Sequence, residues 1–213
     1  MRLTKRDMQI IEFLKQFRVV STTDLMEMFG FNQPNCNRRM KILMEEFKDI
    51  KVLRYNPTYN FYDNEYKCNL KNENVYYWKR KSRAIEHDLL INKFYIELMK
   101  GESYKVKEFK REYRITLEDF TVIADAYILI EYRGREYEYL LEMENNKSFN
   151  YKKYYKLEQE GILVPPLVVC TDRKVYNYCK YLEIIKVKLN LSDIDKLVKD
   201  FTLMVREYNY RKI

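Results

Sequence analysis

The stretch from Glu136 to Asn146, EYEYLLEMENN, decides how the second half of this chain is read. Polar and apolar residues alternate through it, the pattern of a strand with one face toward a core. It closes on two acids, Glu142 and Glu144, which share a face because strand residues two apart point the same way. Two carboxylates on one face repel unless a cation lies between them. The pair is therefore a metal-binding site, the remnant of one, or a solvated strand end.

Working outward, the residues before it form the other arm of a hairpin. FTVIADAYILIEY, 120–132, is a long and mostly apolar strand with an acid, Asp125, in its middle, and Arg133-Gly134 supply the turn. YKVKEFKREYRIT, 104–116, alternates as a third strand. On the other side, SFNYKKYYKLEQEG reads as a helix and PPLVVCT as a short buried strand that returns parallel through it. Beyond these lie an expected helix in KVYNYCKYLEII, a strand in KVKLNL and a capped helix from Ser192 to about Tyr208. The entry helix, IEHDLLINKFYIELMKG, is apolar on two sides, as a helix between layers is.

The first part of the chain has another character. LTKRDMQIIEFLKQF opens with Thr4 as N-cap and Asp7 at the capping-box position, with Leu3 and Met8 as a staple and Met8, Ile11, Leu14 and Phe17 as the buried stripe. VVSTTDLMEMFGF repeats the device with Ser21 and Asp24, Val20 stapling to Leu25, and stops at Gly30. A third helix, QPNCNRRMKILMEEFKDI, has Pro34 in its first turn and an inward stripe of Cys36, Met40, Leu43, Met44 and Phe47. Its other face crowds Asn35, Asn37, Arg38, Arg39 and Lys41 into the N-terminal half. IKVLRYN and VYYWKRK then read as two strands flanking a basic, aromatic loop.

Three short helices and a stranded loop describe a winged helix-turn-helix. A recognition helix places its N-terminal residues in the major groove, where Arg pairs with guanine and Asn with adenine. The candidate DNA-binding set is Thr22, Gln33, Asn35, Asn37, Arg38, Arg39 and Lys41, with Arg54, Lys67 and Lys71 on the wing. Arg38 and Arg39 project about 100° apart, so one is expected to read a base and the other a phosphate.

Charge agrees with this division. Residues 1–85 hold 17 Lys/Arg against 10 Asp/Glu, whereas 86–213 hold 23 against 22, so nearly all of the net +8 is N-terminal. A polyanionic partner for the first module follows. The expected organisation is α+β: a winged helix-turn-helix domain over 1–84 and an α/β domain over 85–213, whose element order resembles the restriction-endonuclease-like fold. Double-stranded DNA is the expected partner, with a homodimer and replication or conjugation proteins as further candidates.

Other classes fit poorly. A hydrophobic fraction of 46% supplies a core and argues against global disorder. The amphipathic opening, MRLTKRDMQIIEFL, is not expected to be a signal peptide, and no run of 18 apolar residues suggests a membrane span. Cys36, Cys68, Cys170 and Cys179 form no CxxC pair and there is one histidine, which argues against structural zinc and for reduced thiols in the cytoplasm.

The helix–strand–strand–strand–helix–strand order, with Asp125 on the second strand and Glu142 near the end of the third, resembles the restriction-endonuclease-like fold. That resemblance implies Mg²⁺ held by Asp125 and Glu142, with the residue two after the Glu, commonly Lys, acting on the attacking water. Here that residue is Glu144, so the Lys would come from the next helix, Lys152 among Lys147, Lys153 and Lys156. Ala124 replaces a proline often found before the Asp. The expectation is a site that no longer cuts and needs no cofactor, with its acids close together and Glu142 or Glu144 bonded to Lys or Tyr of the 148–160 helix. The alternative is a metal-dependent nuclease targeted by its winged helix. The landmarks LTKRDMQIIEFLKQFRVVSTTDLMEMF, HDLLINKFYIEL, ADAYILI, LLEMENN and YKKYYKLEQEG together resemble the replication-relaxation family of plasmids and phages, over residues 2–172. That resemblance implies a DNA-binding protein of a mobile element, acting in replication or relaxation or in transcriptional control.

Overall fold

The computed structural model describes residues 3–55, 73–144, 152–164, 166–170 and 185–188. The chain is α+β, with two sheets and helices before and between their strands. It divides into two compact units, Met1–Ile96 and Glu97–Ile213. The division falls within the entry helix rather than before it, at 84/85, because that helix spends its first turns bonding to the first unit.

The first unit starts with α1, Lys5–Phe17. Thr4 caps it with an extended backbone, and the reciprocal bonds to Asp7 are both present. The buried side is Ile10, Ile11, Phe13, Leu14 and Phe17, and Met8 is 46% exposed. The expected stripe through Met8 is thus corrected: the helix turns its Ile/Phe face inward, and Met8 lies outside it.

Three residues, Val19–Ser21, form β1, a strand too short to carry a periodic signal. Ser21 doubles as N-cap of α2, Thr22–Phe29, whose capping box with Asp24 is complete. Gly30 ends α2 with φ +67°, where a side chain would be strained. Helix α3, Gln33–Glu46, is capped by Asn32 and buries Cys36, Met40 and Leu43. Burial pushes the Cys36 thiol up to about 11, as suits an inert core thiol.

Strands β2, Ile50–Tyr55, and β3, Glu73–Trp78, pair antiparallel, and β1 joins the far side of β3, giving the order β1-β3-β2. Helix α4, Ile85–Met99, closes the unit. Its buried Asn92 donates to the Val19 carbonyl at 2.6 Å and to Asp24 at 3.1 Å, and Lys93 pairs with Glu27. Burial drives the Asp24 carboxyl up to about 6 against the bonds from Ser21 and Asn92.

The second unit is built on a five-stranded sheet, order β4-β5-β6-β7-β8. Strands β4, Lys105–Thr116, β5, Thr121–Tyr132, and β6, Arg135–Glu144, run antiparallel. Arg133 and Gly134 both take positive φ in the two-residue turn between β5 and β6, the conformation that matches strand twist. Helix α5, Lys152–Gln159, then carries the chain to β7, Pro166–Cys170, which runs parallel to β6, and β8, Ile185–Lys188, runs parallel to β7. Tyr127, Leu140, Tyr154, Leu157 and Val168 form a core between sheet and helix. The helix expected at 174–185 lies outside the described residues except for Ile185, which opens β8, and the helix expected at 192–208 lies wholly outside them.

Candidate functional site

Two places collect the candidate residues. The first is the N-terminal half of α3. Asn32 seeds it: its side-chain oxygen accepts from the Asn35 amide at 3.0 Å. With Cys36, Met40 and Leu43 turned to the core, helical spacing sends Gln33, Asn35, Arg38 and Lys41 outward, and all four are exposed. Arg38 donates to the Asn35 side-chain oxygen at 3.3 Å, so a guanidinium and an amide are held together at the surface. Asn37 is half-buried and accepts from the Tyr76 hydroxyl at 3.3 Å. Arg54 is exposed on β2, opposite Asn74. Lys67 and Lys71 lie outside the described residues.

Two of the expected DNA contacts are engaged within the first unit itself. Thr22 is buried, and its hydroxyl donates to the Asn74 carbonyl at 3.2 Å, so it knits α2 to β3. Arg39 forms a two-pronged pair with the carboxylate of Asp7, which is 1% exposed. Burial alone would raise the Asp7 carboxyl, but the Arg39 guanidinium and the Thr4 hydroxyl and amide outweigh it and hold the group at about 2. Arg39 therefore ties α3 to α1, while its neighbour Arg38 faces solvent.

The second place is the acid cluster on β5 and β6. The β5–β6 ladder ends at Ala126↔Leu141, and just beyond it the Met143 amide donates to the Asp125 carboxylate at 2.7 Å. Glu142 is 5% exposed. Its Oε1 accepts from the Lys153 ammonium at 2.6 Å and from the Tyr154 hydroxyl. Lys153 also donates to the Ile123 carbonyl at 3.1 Å, so one ammonium bridges β5 and β6 from α5. Burial pushes the Glu142 carboxyl up to about 7; Lys153 pulls it down and Asp125 pushes it up. Glu144 is half-buried, and its charge together with those of Glu142 and Asp125 helps raise the Tyr154 phenol, after burial.

The lysine at Glu142 is Lys153; Lys152, the one expected, is exposed. The signal for this lay in α5, where Tyr154, Leu157 and Glu158 form the buried side and Lys153 borders it. For a dication the donor chemistry is right, since hard ions take carboxylate oxygens. The arrangement is not: Glu142 already holds an ammonium and a phenol, Asp125 holds an amide, and among the described residues no three ligating side chains converge. As built, Glu142 is paired with a lysine.

No helix among the described residues is long and apolar enough to cross a membrane. The chain matches no protein-family model and no curated protein.

Proposed function

We propose that this chain is a sequence-specific double-stranded DNA-binding protein of a mobile element, acting in the cytoplasm in replication or relaxation or in transcriptional control. In this reading the first unit is a winged helix-turn-helix that docks α3 in the major groove. The second is a nuclease-like domain that scaffolds, dimerises or offers a further DNA surface. One observation carries the reading. The N-terminal half of α3 exposes Gln33, Asn35, Arg38 and Lys41 opposite its core stripe, with Asn35 and Arg38 already hydrogen-bonded. Base recognition needs side chains of that kind, fixed and outward. The β1-β3-β2 order, with β2 and β3 consecutive and paired antiparallel, supports a wing beside it. The assignment to plasmids or phages rests on the sequence resemblance alone.

The test is selection of a bound site from a random duplex pool, followed by affinity measurement with Arg38→Ala and Asn35→Ala. A lost base contact should cost about 1–3 kcal/mol at its own base pair and relax preference there. A pool that yields no enriched site, or variants that bind the selected site as wild type does, would sink the reading.

A second reading, a metal-dependent nuclease directed by the first unit, draws on Asp125, Glu142 and Lys153 coming together. The commitment of Glu142 to Lys153 and Tyr154 places it second.

A further inference from the structure

Arg6 stands apart from the other cations of α1. Its guanidinium carbon lies 5.1 Å from the centre of the Phe31 ring. Phe31 immediately precedes Asn32, the residue that caps α3. The residue after Arg6, Asp7, is neutralised by Arg39 of α3. Among the described residues no carboxylate pairs with Arg6, which is exposed. Lys5, its exposed neighbour on α1, adds charge of the same sign.

A guanidinium on an aromatic ring is attracted through its flat face. An attraction through the face leaves the in-plane N–H groups of a guanidinium available to bond outward. The planar fork is pre-organised, so less freedom is lost for each hydrogen bond it forms. What such a fork fits is a bidentate oxyanion. A duplex seated on α3 would run its sugar–phosphate backbone past the helix before it, α2, and Phe31, under Arg6, lies between α2 and α3.

We infer that Arg6, stacked on Phe31, grips a DNA backbone phosphate beside the start of α3. This assigns a contact to α1, which the candidate set from α3 and the wing leaves out. It rests on the reading that α3 docks on duplex DNA. Arg6 adds affinity and fixes how the unit sits on the strand, whereas Arg38 and Asn35 choose the sequence.

The experiment measures binding of the full chain to its selected duplex and to a scrambled duplex across a salt series, for wild type, Arg6→Ala, Arg6→Lys and Phe31→Leu. Fluorescence of Trp78, the only tryptophan, checks that each variant keeps the first unit folded. Arg6→Ala should bind both duplexes roughly 3–10-fold more weakly, with the slope of log affinity against log salt shallower by about one unit. Arg6→Lys should keep the slope, since the charge remains, and lose part of the affinity with the fork. Phe31→Leu should behave like Arg6→Lys, the ring having been the platform. If wild type and Arg6→Ala share one affinity and slope while Arg38→Ala still impairs binding, this inference fails and the docking of α3 survives. A change in preference between duplexes would make Arg6 a base reader and overturn the phosphate assignment. If wild type binds no duplex, both fall together.

Discussion

The pair between Asp7 and Arg39 gives a prediction whose size follows from the structure. Asp7 is 1% exposed, closes the capping box of α1 and takes the guanidinium of α3. In the folded chain its carboxyl sits at about 2, against an ordinary 3.8. At about 1.4 kcal/mol per pH unit, that difference is roughly 2 kcal/mol of stability. The sign follows from the direction of the shift. The folded value lies below the unfolded one, so the contribution is complete above pH 4–5 and disappears as pH falls toward 2. Asp7→Asn is the clean perturbation, because an amide oxygen still accepts from Thr4 while the charge facing Arg39 is gone. At neutral pH it should cost about 2 kcal/mol, or about 8–16 °C in the midpoint for a unit of this size. Arg39→Lys, which keeps charge and loses the fork, should cost about half of that. Urea unfolding followed through Trp78, which lies on β3, reports the first unit alone. A loss under about 0.5 kcal/mol at pH 7 would refute the reasoning. So would a loss that stays the same from pH 7 to pH 3, since an electrostatic contribution must fade there.

The second unit offers two further tests. Lys153→Met leaves the buried Glu142 carboxylate without its ammonium, so the carboxyl should rise above about 7 and the unit lose about 1 kcal/mol at pH 8, the limit being about 1.4 kcal/mol because the group can protonate instead. The loss should shrink at pH 5.5, where Glu142 is neutral, and hydrogen exchange in β6 and α5 measures both. Supercoiled DNA incubated with the chain and Mg²⁺ or Mn²⁺ should stay uncut. Nicking that vanishes in Asp125→Ala would establish the nuclease reading instead.

The sequence by itself determined the features whose causes are local. Thr4 with Asp7 and Ser21 with Asp24 are reciprocal bonds across three residues, and both helix starts stand where those spacings put them. The turn at Arg133-Gly134 and the strands on either side follow from a two-residue loop and alternation. The inward stripe of α3 follows from period 3.6, and with it the exposure of Arg38.

Only the tertiary structure decided what each local pattern met. β1 is a strand because β3 is there to pair with it, and three residues hold no periodicity of their own. Arg38 and Arg39 are equal as letters. One is a surface cation and the other an internal tie because Asp7, 32 residues away, lies under the second. Lys152 and Lys153 divide in the same way: where α5 rests on the sheet decides which of them reaches Glu142, 11 residues back. Thr22 reads as a polar residue at a helix start, yet the arrival of β3 buries it. Hydrogen-bond and charge partners far apart in the chain are chosen by packing, and packing is set by the whole apolar pattern at once rather than by the residues that end up paired.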